Sequence, residues 1–301
     1  MKLNYSLGCI LAVCLSLSAS AVFAQPTRVI EVLLTFDYPG EDNSTLPQKI
    51  NDRGDISGHY VDSSGITRGF IRFRNGSFST PIVDPNGDGS RTKARAINNN
   101  SLVGGFYLNG NFGHGFLLSG GTYTDFDISG ALNTYIYALN DAGEFAGEFD
   151  SAGNPGQAYV NLASGLTVFT VPDAFVTNVF GINNAREIAG NYVDSAGVNH
   201  GFFRDSAGSL TFPVDFPGAS STIPFGINDR RIIVGRYTDA SGVGHGFVLK
   251  LPAKFVQFDF PGAVFTSLNG INRQGVMCGR YDDGSGHFHG LIARISQGQA
   301  E

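Results

Sequence analysis

The sequence predicts an all-β protein, a six-bladed β-propeller closed by an N-terminal strand that joins the last blade. Three observations carry that prediction. Glycine supplies 41 of the 301 residues while only 15% are charged, a composition costly inside helices and at home in turns. An Asn preceded by Ile, or once by Leu, recurs at Asn51, Asn98, Asn140, Asn183, Asn228 and Asn272, at intervals of 47, 42, 43, 45 and 44 residues. Periods of ~40–50 residues match a four-stranded propeller blade, and a β-helix rung is about half as long. Finally, the last repeat ends one strand short, and the missing strand stands at the other end of the chain.

The first segment is not part of the fold. Lys2, the apolar run Leu7 to Leu17 and the small-x-small ending Val22-Phe23-Ala24 read as a secretory signal peptide, residues 1–24, cleaved after Ala24. Its apolar core is too short to span a bilayer, which takes ~20 residues, so no membrane insertion is expected after cleavage. The mature chain, residues 25–301, is expected to be one propeller domain, monomeric and exported, whether extracellular or periplasmic. Cleavage leaves 277 residues, a net charge of −7 and one thiol, Cys278. One cysteine cannot form a disulfide within the chain, so burial and backbone pairing must hold the fold. Since the other repeats carry small residues at its position, Cys278 reads as a buried core residue.

The elements follow in order. Val29 to Asp37 (VIEVLLTFD) is a strand that precedes the first Ile-Asn unit. Each repeat then has a first strand ending in Ile-Asn, as in Phe225-Gly226-Ile227-Asn228. It turns through Asn-Asp-x-Gly, where Asn and Asp bond their own backbone and Gly accepts positive φ. The second strand is Ile-x-Gly-x-Tyr, for example Ile188 to Tyr192, and an Asp-x-x-Gly turn such as Asp194 to Gly197 ends it. A third strand starts at His-Gly-Phe. The fourth is a Phe-Asp segment leading through Pro-Gly into the next repeat. The last repeat stops after its third strand, His289 to Ile295. Pairing Val29 to Asp37 with it closes the ring and covers the edges an open solenoid would expose.

These motifs support a resemblance. His-Gly-Phe at 114–116, 200–202 and 245–247, Phe-Pro-Gly-Ala at 216–219 and 260–263, and the interposed Gly-Ile-Asn units resemble the HAF-repeat family of extracellular bacterial repeat proteins, over nearly all of residues 35–295. The resemblance implies export and a propeller-like fold but no established activity. Arg68-Gly69-Phe70 and Gln157-Ala158-Tyr159 depart from His-Gly-Phe.

Repetition sorts the candidate chemistry. His114, His200, His245 and His289 share one repeat position, so a propeller spreads them one per blade, whereas zinc needs three or four ligands around one ion. A structural role is expected, a bond to a neighbouring strand or turn, and no metal or other cofactor. Asp37, Asp84, Asp127, Asp215 and Asp259 precede turns and are explained by local backbone bonding. The Asp-x-x-Gly turns lack the alternating oxygen ligands of a calcium loop.

Binding is expected where the repeats differ. Three residues before each marker Asn stand Gln48, Arg95, Tyr137, Phe180, Phe225 and Asn269; five before stand Leu46, Lys93, Tyr135, Asn178, Ile223 and Ser267. If this strand is innermost, these side chains approach the central channel or its mouth. Arg91, Lys93 and Arg95 alternate, placing three cations on one strand face beside Tyr135 and Tyr137 of the next blade. Cations next to tyrosines suit an anionic or sugar-like ligand; the alternative assigns them to ion pairs with Asp and Glu of adjacent blades. A second variable set, His59, Phe106, Glu148, Asn191, Arg236 and Arg280, lies in the second strands and suggests partial solvent contact, with His59 and Glu148 a conceivable acid–base pair in non-neighbouring repeats. The net charge of −6 argues against nucleic acid as partner. No Gly-x-Ser-x-Gly, His-Glu-x-x-His or phosphate loop occurs. The expectation is a secreted non-catalytic scaffold that binds a ligand, such as an anionic glycan, or another extracellular protein. A carbohydrate-active hydrolase or lyase using the channel mouth and a structural surface or matrix component are the alternatives.

Overall fold

The computed structural model describes residues 28–41, 44–252 and 254–297; the signal segment 1–24 lies outside them. Among the described residues there are strands and turns and no helix. Six antiparallel sheets follow one another along the chain, five of four strands and one of three. Each sheet is a blade. The innermost strands are Thr45–Ile50, Thr92–Ile97, Asn133–Leu139, Val176–Ile182, Ser221–Ile227 and Phe265–Ile271. Each packs against its two neighbours, and the sixth packs against the first, so they enclose an axis.

The ring closes as the chain ends suggest. Arg28–Phe36 pairs antiparallel with Phe288–Gln297, from Arg28 opposite Gln297 to Phe36 opposite Gly290, and becomes the outer strand of the sixth blade. First and last parts of the chain thereby share one sheet. The expectation of four strands per blade needs one correction. In the first blade the outer strand is reduced to isolated bridges, Gly69 with Ile82 and Arg72 with Phe78. Pro81 lies between them and has no N–H to donate to a ladder. The fourth blade shows a milder form, its outer strand being only Leu210–Thr211, just before Pro213.

Packing explains the commonest motif residues. The aromatic of His-Gly-Phe and its counterparts, Phe70, Phe116, Tyr159, Phe202 and Phe247, are fully buried, as is Leu291 in the sixth blade. Burying such a side chain contributes ~1.5–3 kcal/mol each. The rings lie over the glycine of Ile-x-Gly: a Cβ on Gly58, Gly105, Gly190 or Gly235 would sit 2.5–2.9 Å from the Phe70, Phe116, Phe202 or Phe247 ring. Glycine is therefore demanded there by close approach rather than by backbone angle. Cys278 is fully buried, in a cluster with Ile50, Ile56 and Ile292, and burial pushes its thiol up to about 12. It stays neutral and unreactive.

The histidines are clamps. His114, His200, His245 and His289 each place Nδ1 within 2.7–3.1 Å of a carboxylate oxygen of Asp127, Asp215, Asp259 and Asp37, tying the third strand to the Phe-Asp segment. Nε2 of His200 and His245 also reaches Asp194 and Asp239 of the preceding turn, at 3.4 and 3.3 Å. Where Arg68 replaces His, its Nε donates to the equivalent turn carboxylate, Asp62, at 2.8 Å.

Two further six-fold features complete the fold. The side-chain amide of each marker Asn donates to the backbone carbonyl of the marker Asn in the next blade, from Asn51 round to Asn272 and back to Asn51, at 2.9–3.5 Å. This hydrogen-bonded belt encircles the axis. Toward the start of each inner strand a buried threonine, Thr45, Thr92, Thr134, Thr177, Thr222 or Thr266, accepts a backbone N–H from the segment leading in from the previous repeat, at 2.9–3.2 Å.

Candidate functional site in the central channel

The two ends of the channel differ. At the end toward which the inner strands run, the residues after the marker Asn form a second ring: Asp52, Asn99, Asp141, Asn184, Asp229 and Arg273. The backbone N–H groups of Asp52, Asn99, Asp141, Asn184 and Arg273 donate to the next side chain in the ring at 2.7–2.9 Å. Asn99 and Asn184 amides bridge the flanking carboxylates at 2.8–2.9 Å. The three aspartates occupy alternate blades, and the Arg273 side chain reaches all of them: Nη2 lies 3.3 Å from Asp52 and 3.9 Å from Asp141, and Nε 3.5 Å from Asp229. A group in reach of three evenly spaced points on a ring lies near its centre. Arg273 therefore covers the axis at this mouth. Beneath it, Ile50, Ile97, Leu139, Ile182, Ile227 and Ile271 surround a cavity of about 80 Å³ bordered by Lys49, with room for a few water molecules but not for a sugar.

Beyond this floor the wall is cationic and aromatic. A β-bulge explains why. In all six inner strands the register with the second strand slips at the residue three before the marker Asn, so that Gln48, Arg95, Tyr137, Phe180, Phe225 and Asn269 are each the extra, unpaired residue. A bulge bends the strand and re-aims the side chain. The residues five before the marker sit directly opposite the second-strand variable set: Leu46 faces His59, Lys93 Phe106, Tyr135 Glu148, Asn178 Asn191, Ile223 Arg236 and Ser267 Arg280. The two variable sets thus form one surface.

Of the five residues expected to bind, four come together. Lys93 Nζ lies 5.8 Å from the centre of the Phe106 ring and the Arg95 guanidinium 4.7 Å from that of Tyr137. Tyr135 and Tyr137 stack in parallel, centroids 5.9 Å apart, and Phe106 meets Tyr135 edge-on at 4.7 Å. Arg91 stands exposed one residue before the inner strand, at the end of the channel where the inner strands begin. Its backbone carbonyl accepts from Leu108, and its charge still acts on Lys93 below. The three cations form a ladder from rim to interior.

The ion-pair alternative does not describe this wall. Among the described residues, neither Lys93 nor Arg95 lies within ion-pair distance of a carboxylate, and Nε of Arg95, Arg236 and Arg280 and Nδ1 of His59 are buried without a hydrogen-bond partner. The nearby carboxylate is Glu148, which accepts from Tyr137 Oη at 2.9 Å. Electrostatics follow from this imbalance. Burial, then the charge of Arg95, brings Lys93 down to about 8. Burial, then Arg95, brings Lys49 to about 7, while burial raises Glu148 to about 7. His59 is held neutral by burial and by the surrounding Lys93, Arg95, Arg280 and Arg91. It makes no bond to Glu148, and the two do not form an acid–base couple. Arg280 falls to about 9, through burial and the charges of Arg236 and Arg95.

Fold and channel together define the class: a six-bladed propeller whose axis is covered at one end by its own side chains and lined by unpaired cations and aromatic rings at the other. Solved propellers share the fold. The chain is similar to TolB from Acinetobacter baumannii (TM-score 0.54, 14% identity, 81% of this chain and 64% of that one), so it spans a little under two thirds of that protein. It is also similar to a putative TolB from Agrobacterium tumefaciens (TM-score 0.54, 11% identity, 89% and 91%) and to the SapL1 lectin solved with alpha methyl fucoside (TM-score 0.52, 11% identity, 86% and 97%). No family model matches the chain, and no curated protein does. At these identities the likeness concerns the fold alone.

Proposed function

We propose that the protein is a non-catalytic, exported binding propeller that takes an anionic, sugar-like ligand into the open end of the channel, along Arg91, Lys93 and Arg95 and against Tyr135 and Tyr137. One observation carries this reading. Elsewhere several arginines are paired, Arg53 with Asp55, Arg68 with Asp62, Arg186 with Glu144, Arg231 with Glu187 and Arg294 with Glu31, and the buried Arg72, without a carboxylate partner among the described residues, stands by itself over the Phe36 ring. Among the described residues, it is in the channel that buried cations lie close enough to feel one another's charge, with Glu148 beside them. Holding unpaired charge out of water is costly, and an anion that supplies the missing charge and hydrogen-bond acceptors offsets that cost. The tyrosine faces add a platform for a pyranose ring. That a propeller of this fold, the SapL1 lectin, was solved with a fucoside is compatible with a glycan-binding use of the scaffold. The signal-like segment and the His-Gly-Phe motifs support export.

Replacing Arg91, Lys93 and Arg95 together with Ser tests the reading. Binding to acidic glycans on an array, present in the parent protein, is expected to fall at least tenfold in the variant, while far-ultraviolet circular dichroism is unchanged. Undiminished binding by the folded variant removes the proposal.

A further inference from the structure

The sequence directs attention to the wall formed by the second and third blades, yet two more unpaired arginines face the same space from the fifth and sixth. Arg236 stands opposite Ile223 and Arg280 opposite Ser267, in the second-strand set that shares a surface with the inner strands. Their guanidinium groups converge on one ring, Phe265, at 5.4 and 5.8 Å from its centre, and Arg280 also lies 4.7 Å from that of Phe288. The Nε of each is buried without a partner. Arg280 feels the charge of Arg236 on one side and of Arg95 on the other, and Lys93 in turn feels Arg280. Lys93, Arg236 and Arg280 also belong to the same paired register position of the second, fifth and sixth blades, five residues before the marker Asn or directly opposite that residue, so these cations line one belt around the axis. Aromatic faces hold the guanidinium groups in place, leaving their edges free to accept an anion in bidentate fashion.

The geometry points to a two-point anion cup: a ligand carrying two acidic groups, one held at Lys93 and Arg95 and the other at Arg236 and Arg280, entering by its end because Arg273 and the apolar ring beneath it block passage along the axis. This rests on the anionic-glycan reading above and adds to it the number of charges and the mode of entry. A through-channel would let a polymer thread and be gripped anywhere along its length. A covered floor admits a short acidic oligosaccharide, or the terminus of a longer one, and nothing internal.

Galacturonic acid, digalacturonate and polygalacturonate, bearing one, two and many carboxylates, separate these possibilities in calorimetric titrations at fixed pH and low salt. Digalacturonate is expected to bind the parent protein at least tenfold more tightly than the monosaccharide. Arg236→Gln with Arg280→Gln should erase that advantage, and Arg236→Lys with Arg280→Lys, which keeps the charge, should restore part of it. Polygalacturonate should bind with a stoichiometry set by the number of chains and independent of their length; free oligosaccharide and chain end are told apart by whether the polymer binds at all. Equal affinity for one and two carboxylates, or a double Gln variant that folds as judged by circular dichroism and keeps the advantage, overturns the two-point cup. Stoichiometry that grows with polymer length overturns end-on entry. Failure of all three probes to bind the parent protein removes the anionic-glycan reading itself.

Discussion

At the scale of single residues, the channel is a place where ordinary side chains are held away from their ordinary charge states. Lys93 at about 8, Lys49 at about 7 and Glu148 at about 7 all change protonation within the range where most proteins are studied. The sign is the same for each. As pH falls through these values the two lysines gain protons and become cationic, and Glu148 gains a proton and loses its negative charge. His59, whose ionised form is opposed by burial and by its cationic neighbours, stays out of this range. The chamber thus becomes more positive on acidification, and an anion should bind more tightly. Affinity for digalacturonate is expected to rise about tenfold between pH 8.5 and pH 6, a change worth roughly 1.4 kcal/mol. Glu148→Gln should raise affinity at pH 8.5 and flatten the profile. A parent profile that is level, or that rises with pH, contradicts the assignment of Lys93 and Glu148 to the binding surface.

The elements show what was legible in the sequence and what was not. Four-strand periodicity, the Ile-Asn turn and the placement of Arg95 and Tyr137 on an innermost strand could be read because each is local and repeated. The bulge that aims Arg95 and Tyr137 could not, because inserting one unpaired residue leaves the residue types of the strand unchanged and alters only its pairing. Arg236 and Arg280 appeared in the sequence as a variable polar position; their meeting over Phe265 depends on how the fifth and sixth blades face each other, which no local pattern records. Arg273 was overlooked, although the alternation Asp, Asn, Asp, Asn, Asp across the positions after the marker Asn, broken by a single Arg, was a signal in plain sight. The six threonines at the starts of the inner strands are an equally local and repeated signal. The marker Asn recurs because its side chain is structural. Asn183 is typical: its Oδ1 accepts N–H groups of Ala185 and Glu187 in its own turn, and its Nδ2 donates to Glu187 and to the carbonyl of Asn228. Asn183→Ala strands several of these buried groups at once, and a loss of about 2–4 kcal/mol in chemical denaturation is expected. A loss below 0.5 kcal/mol would mean that the belt is a by-product of ring geometry rather than a part of its stability.

For the whole molecule the decisive contact joins the two ends of the described chain. Each blade alone is a small sheet with two apolar faces, and it is stable only when covered on both sides. A ring satisfies that requirement for all six at once, provided it closes. Closure here depends on one strand, Arg28–Phe36, which supplies the sixth blade with its outer edge and packs Ile30 and Val32 onto the cluster that contains Phe258, Leu268 and Leu291. His289 then bonds Asp37 at 3.0–3.1 Å, repeating at the seam the clamp that elsewhere operates within a single repeat. Because Lys93 and Arg95 belong to the second blade and Arg236 and Arg280 to the fifth and sixth, the channel surface exists only while the ring is shut. Removing residues 28–37 should therefore do two things together: lower the melting temperature by 10 °C or more, far beyond the effect of trimming a free tail, and abolish ligand binding although every channel residue is retained. The same strand supplied as a synthetic peptide should restore both, since the exposed edge of Phe288–Gln297 is its template. A truncated protein that melts and binds like the parent would show that the six blades hold together without their seam.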